Sequence, residues 1–123
     1  NKLVAMDIGI ISLADTVGLA TPHQVYDVTS YLVESLPGTE IGVHLHSTPQ
    51  NWEEKLEAAV RAGCKRFDGA LKGIGGCPMA DDDLVGNMNS ELMIQYFENK
   101  ELLTDLNKEA LIESLQIAER IFI

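Results

Sequence analysis

Apolar and polar positions change their period several times along the chain, and each change marks an element. Gly9 to Leu13 (Gly-Ile-Ile-Ser-Leu) is a short β-type run that ends at Ala14-Asp15-Thr16. Gly18 opens a loop, and Thr21-Pro22 reads as the N-cap and first position of a helix. Val25, Val28, Leu32 and Leu36 keep helical spacing along it until Pro37-Gly38. Glu40 to Leu45 is the next strand. Ser47-Thr48-Pro49 restarts a helix, with Trp52, Leu56, Ala59 and Val60 as its buried stripe and Glu53, Glu54 and Glu57 outside. Gly63 ends it. Cys64 to Leu71 is a third strand-like run, followed by a glycine-rich loop from Gly73 to Gly86. Asn89-Ser90-Glu91 opens a helix through Leu92, Ile94 and Phe97. A last helix covers roughly Asn107 to Ile121, with Leu111, Leu115 and Ile121 buried by periodicity.

The order is β-loop-α three times over, with an extra terminal helix. Such alternation implies an α/β fold with parallel strands and right-handed crossovers. Each polar candidate falls at the C-terminal end of a strand or in the loop beyond, where α/β barrels and doubly wound sheets place their sites. Three strands cannot close a barrel, and a complete (β/α)8 barrel takes about 250 residues. The expectation is one partial catalytic domain over residues 1–123, the C-terminal portion of a TIM barrel. The opening Asn-Lys-Leu-Val-Ala-Met-Asp looks like the end of a helix and does not start with Met, which also reads as a fragment. Barrel strands without their neighbours expose apolar edges, so a homo-oligomer is expected, with strands paired across a two-fold axis.

Charge narrows the partners. The chain has 19 acidic and 9 basic residues, a net charge of −10. That balance argues against nucleic acid or an anionic membrane as the main partner. Two cysteines, Cys64 and Cys77, are too few for a secreted disulfide framework and favour a reducing cytoplasm. No apolar run reaches transmembrane length.

Candidate chemistry gathers at four places. His44 and His46 stand two apart on a strand, so they share a face. Val43 and Leu45 between and beside them are apolar, so the strand is buried on both sides. Two imidazoles buried together need partners, and a divalent cation is a natural one. Asp15 follows Ile11 and Leu13 on its side of the pleat. It is either a turn acceptor or, if the strand lines a barrel, an acid/base group at the mouth. Cys77 lies between Gly75-Gly76 and Pro78, a small residue in a turn or part of a mobile lid. Asn87 after Gly86 is either a helix cap or an oxygen ligand for Mg²⁺ or Mn²⁺. The run Asp81, Asp82 and Asp83 reads as a solvated loop, and Asp68 as structural with a chance of lining the site. Gly73-x-Gly75-Gly76 lacks the register of a dinucleotide fingerprint.

Three stretches carry a resemblance: Ile11-Ser-Leu-Ala-Asp-Thr-Val-Gly-Leu-Ala-Thr-Pro22, Val43-His-Leu-His46 and Gly73-Ile-Gly-Gly-Cys-Pro78. Together they resemble the 3-hydroxy-3-methylglutaryl-CoA lyase family, within a wider group of metal-dependent TIM-barrel lyases, aldolases and synthases. Asp15-Thr16 and His-x-His belong to the wider group. Gly-Gly-Cys-Pro followed by Gly-Asn is the more specific part. The resemblance implies His44, His46 and Asn87 as ligands of Mg²⁺ or Mn²⁺. It implies Asp15, His44 and Cys77 as catalytic groups. It also implies an acyl-CoA substrate and a retro-Claisen cleavage to acetyl-CoA and acetoacetate. The family's early strands supply an Arg, an Asp ligand and a Glu that have no counterpart here, so the chain alone is expected to be inactive. The acidic Asp81–Asp83 run stands where the family has small residues. The rival readings are a 4-hydroxy-2-oxo acid aldolase, a Claisen-type synthase, and a binding module that kept the fold and lost the chemistry.

Overall fold

The computed structural model describes residues 2–76 and 85–122. Three parallel strands lie side by side in chain order: β1 (Ile10–Asp15), β2 (Glu40–Ser47) and β3 (Arg66–Asp68). Helices α1 (Pro22–Ser35) and α2 (Trp52–Arg61) connect them, and α3 (Ser90–Asn99) and α4 (Lys108–Ile121) follow. This is the parallel β-α order of a partial (β/α)8 barrel, as the alternation predicts.

Local signals explain the helix starts. Thr21 accepts from the Gln24 N–H while the Gln24 side chain accepts from the Thr21 N–H, a complete capping box with Pro22 at the first position. Asn89 and Asn107 cap α3 and α4 in the same one-sided way, accepting from Leu92 and Ala110.

β2 is the centre of the sheet. Every residue from Ile41 to Ser47 is buried except His44, which is half-buried. Val43 and Leu45 pack toward the helices with Val25, Leu56 and Ala59, and Leu13 of β1 joins them. α1 and α2 lie against each other on that side.

Several boundaries differ from the sequence pattern, each for a local reason. β3 is only Arg66–Asp68, not Cys64–Leu71. Cys64 precedes it, buried, with its thiol on the carbonyls of Ile41 and Arg66. After Asp68 the chain changes partner: the Ala70 N–H bonds Met88 O, and the Ser90 N–H bonds Ala70 O. Leu71 then enters a 3-10 turn, Leu71–Gly73. β2 runs through Ser47, so α2 starts at Trp52 rather than at Ser47-Thr48-Pro49. Asn51 instead accepts from the Thr48 N–H and closes the turn between them. Val28 and Ile121, expected on buried stripes, are 48% and 65% exposed, and Ala118 is the buried residue of α4.

One strand had no periodic signal at all. β4 (Gly86–Asn87) pairs antiparallel with the end of β2, setting His46 opposite Asn87 and Ser47 opposite Gly86.

Candidate metal centre

The period-2 pleat sends the His44 and His46 rings to one face of β2, where they meet edge-on with centroids 5.3 Å apart and planes at 73°. His46 is buried and His44 half-buried. His46 Nδ1 lies 3.2 Å from Val85 O. A carbonyl only accepts, so Nδ1 is the donor here and Nε2 is the ring nitrogen left to meet another group. Ligand histidines are commonly oriented this way, through a backbone carbonyl on the other ring nitrogen.

β4 delivers the third donor. Paired residues of neighbouring strands project to the same side, so Asn87 shares the His46 face. Its Nδ2 donates to Ile74 O at 2.8 Å and its N–H to Gly75 O at 2.9 Å. That leaves Oδ1 as the acceptor end. Asn87 is therefore not the cap of α3, a place that Asn89 takes. The glycines explain why this fits. Gly75 has φ +87°, and a Cβ there would stand 2.9 Å from Asn87 Nδ2; a Cβ on Gly86 would stand 2.7 Å from Gly73 O.

Two imidazoles and a carboxamide oxygen form a donor set suited to a divalent cation. Among the described residues no three His, Cys, Asp or Glu side chains gather as a cation site, so the set depends on Asn87. Asp68 is paired with His44 in the β2–β3 register and stands on the same face, exposed. A cleft of about 240 Å³ adjoins Asn87, lined by Ser47, Trp52, Lys72 and Asn89 among others.

Asp15 does not join this group. Its register partner is Leu45, so it leaves β1 on the helix side of the sheet. There Oδ1 accepts from the Ala20 N–H and Oδ2 lies 2.8 Å from Lys55 Nζ. The pair is almost fully buried, with side chains 8% and 1% exposed. Lys55 also donates to Gly18 O and His46 O, both at 3.0 Å. The helical pattern gave no hint of Lys55, because a lysine beside Glu53, Glu54 and Glu57 reads as solvated. The signal was positional: it stands one residue before Leu56, at the edge of the buried stripe. Cys77 and the Asp81–Asp83 run lie outside the described residues.

Fold and site together define a segment of an α/β barrel with a metal-type donor set at the C-terminal ends of its strands. The chain belongs to the HMGL-like family, whose model matches residues 1–117. It is 39% identical over 110 residues to the (R)-citramalyl-CoA lyase of Chloroflexus aurantiacus, covering 88% of this chain and 34% of that protein. It is 32% identical over 119 residues to a hydroxymethylglutaryl-CoA lyase of Bacillus subtilis, covering 97% and 40%. A solved HMG-CoA lyase from Acinetobacter baumannii, in complex with coenzyme A and 3-methylmalate, is 34% identical. It superposes with a TM-score of 0.75, over 90% of this chain and 36% of that one. The chain spans 34–40% of the length of these curated relatives. No helix among the described residues is long and apolar enough to cross a membrane.

Proposed function

We propose that the protein carrying this chain is a metal-dependent carbon–carbon lyase that cleaves 3-hydroxy-3-methylglutaryl-CoA, or a closely related hydroxyacyl-CoA such as citramalyl-CoA, by a retro-Claisen reaction. The observation that supports it most is the placement of His44, His46 and Asn87 on one face of the sheet. The acyl-CoA class is supported by the names of the relatives and by the coenzyme A in the Acinetobacter complex.

In this reading His44, His46 and Asn87 hold Mg²⁺ or Mn²⁺, which when bound polarises the substrate hydroxyl and orients it. His44, the less buried of the two residues, is the one that this reading gives a share in proton transfer. Cys77 is the acid–base candidate that protonates the enolate of acetyl-CoA. Keeping water from that enolate is what a closing glycine-rich loop contributes. Asp15 serves from the helix side of the sheet, since its carboxylate is engaged by Lys55 and Ala20. The Arg, the Asp ligand and the Glu that the family resemblance implies are not supplied by the residues of this chain. The low cysteine content supports a reducing cytoplasm as its compartment.

The test is acetyl-CoA release from 3-hydroxy-3-methylglutaryl-CoA and from citramalyl-CoA by the intact protein, with and without Mg²⁺. Metal-dependent release on one of the two, lowered about 100-fold or more by His44→Ala and strongly by Cys77→Ser, supports the proposal. Metal binding without release on either substrate would move the reading to an aldolase or synthase of the same barrel. No metal binding would favour a non-catalytic module.

A further inference from the structure

We propose that Lys55, held by Asp15, is a positioning residue that sets His46 for the metal, an inference that rests on the metal reading above. Lysine is almost never fully buried unless its charge is matched. Here the three ammonium hydrogens meet three acceptors: Asp15 Oδ2, Gly18 O and His46 O. Neutralising the charge needs only the carboxylate. The other two bonds fix backbone, and one of those carbonyls belongs to a ligand histidine.

His46 is thereby pinned twice. Lys55 holds its carbonyl from the helix side, and Val85 O orients its ring on the opposite side. Ring direction in a strand follows from where the backbone stands, so holding the carbonyl fixes the pivot about which the ring turns. Asp15 makes this tolerable for a cation on the far face. It cancels the ammonium charge, and the Ala20 N–H holds Asp15 in turn. A ligand shell needs placement within about half an ångström, so the loss of such a support shows in affinity.

The experiment compares the intact wild-type protein with Asp15→Asn/Lys55→Met, which removes both charges and keeps an acceptor for Ala20. Two readouts are taken. The first is the His46 tautomer in the metal-free protein, from long-range ¹H–¹⁵N spectra. The second is Mn²⁺ affinity by calorimetry. The expected result is a folded double variant whose His46 ring samples both tautomers and whose Mn²⁺ affinity falls about 10–100-fold. Lys55→Arg, which keeps the charge but presents a planar fork in place of three radiating donors, is the second variant should the first not fold. It is expected to weaken Mn²⁺ binding in the same direction. A folded variant with a single Nδ1–H tautomer and wild-type Mn²⁺ affinity overturns the positioning role and leaves the lyase reading intact. A wild-type protein that takes up no Mn²⁺ overturns the metal reading and this inference with it.

Discussion

Removing one partner of a buried ion pair strands the other charge in a medium that solvates it poorly. Lys55→Met therefore has a predicted cost of about 3–5 kcal/mol in urea denaturation, because Asp15 is left with the Ala20 N–H alone. The double variant Asp15→Asn/Lys55→Met should recover most of that loss, since no charge remains unpaired. A second residue-scale prediction concerns Cys64. Burial pushes its thiol up from the ordinary value, and its sulfur already faces two carbonyls. In a Cys77→Ser background, Ellman's reagent at pH 8 should label it slowly in the folded protein and rapidly in urea. Legibility differed between residues of this one site. The shared face of His44 and His46 follows from a period of two and was visible in three letters. The Asp15–Lys55 pair joins positions 40 residues apart, a distance no local pattern spans. The side of the sheet that Asp15 takes depended on which face the helices cover.

Helices α1, α3 and α4 were readable because caps and apolar spacing agree, α2 by its apolar spacing and not by its start, and β2 because its apolar run is long. β3 and β4 were not. β3 stops at Asp68 because the chain next bonds to Met88 and Ser90, and a two-residue strand such as Gly86–Asn87 has no period to detect. The glycines around β4 carry an element-scale prediction. Gly75→Ala places a side chain at φ +87° against Asn87 Nδ2. It should cost about 1–2 kcal/mol from the left-handed backbone alone, measured by urea denaturation, and, on the metal reading proposed above, weaken Mn²⁺ binding by displacing the carboxamide. α2 and α3 meet through Tyr96, whose hydroxyl donates to Glu57. That bond, and then the nearby Lys100, hold the Glu57 carboxyl below the usual carboxylate range. A carboxyl lowered in the folded state adds stability above its unfolded pKa, about 4.3, and loses it as pH falls through the folded value. Tyr96→Phe should therefore flatten the decline in stability on the acid side, seen in melts between about pH 5 and pH 3. The effect will be small, because the Glu57 side chain is 39% exposed.

At the scale of the whole molecule, the apolar surface is unevenly covered. Beside β1, which among the described residues pairs only with β2, stand Ile10, Leu19 and Val28, exposed by 47%, 80% and 48%. Ile112, Ile117 and Phe122 are exposed along and beyond α4. A strand paired on one edge only, next to such a patch, is an invitation to another chain. The chain by itself should self-associate, with light scattering showing a mass above 13.5 kDa that rises with concentration. A clean monomer at high concentration would count against it. The fold class was legible at this scale because β and α runs alternate. That three parallel strands cannot close a barrel was legible too, and the chain spans 34–40% of the length of the curated relatives it matches.

β2 also works as a partition one peptide thick. The two histidine rings face one side of it and the Lys55–Asp15 pair the other, and the Lys55 ammonium reaches the carbonyl of His46. Substitutions among the packed residues of α2 can thus retune the histidines without altering any atom on their side. On the metal reading proposed above, a screen for variants with changed metal preference would search the outer helices before His44, His46 and Asn87.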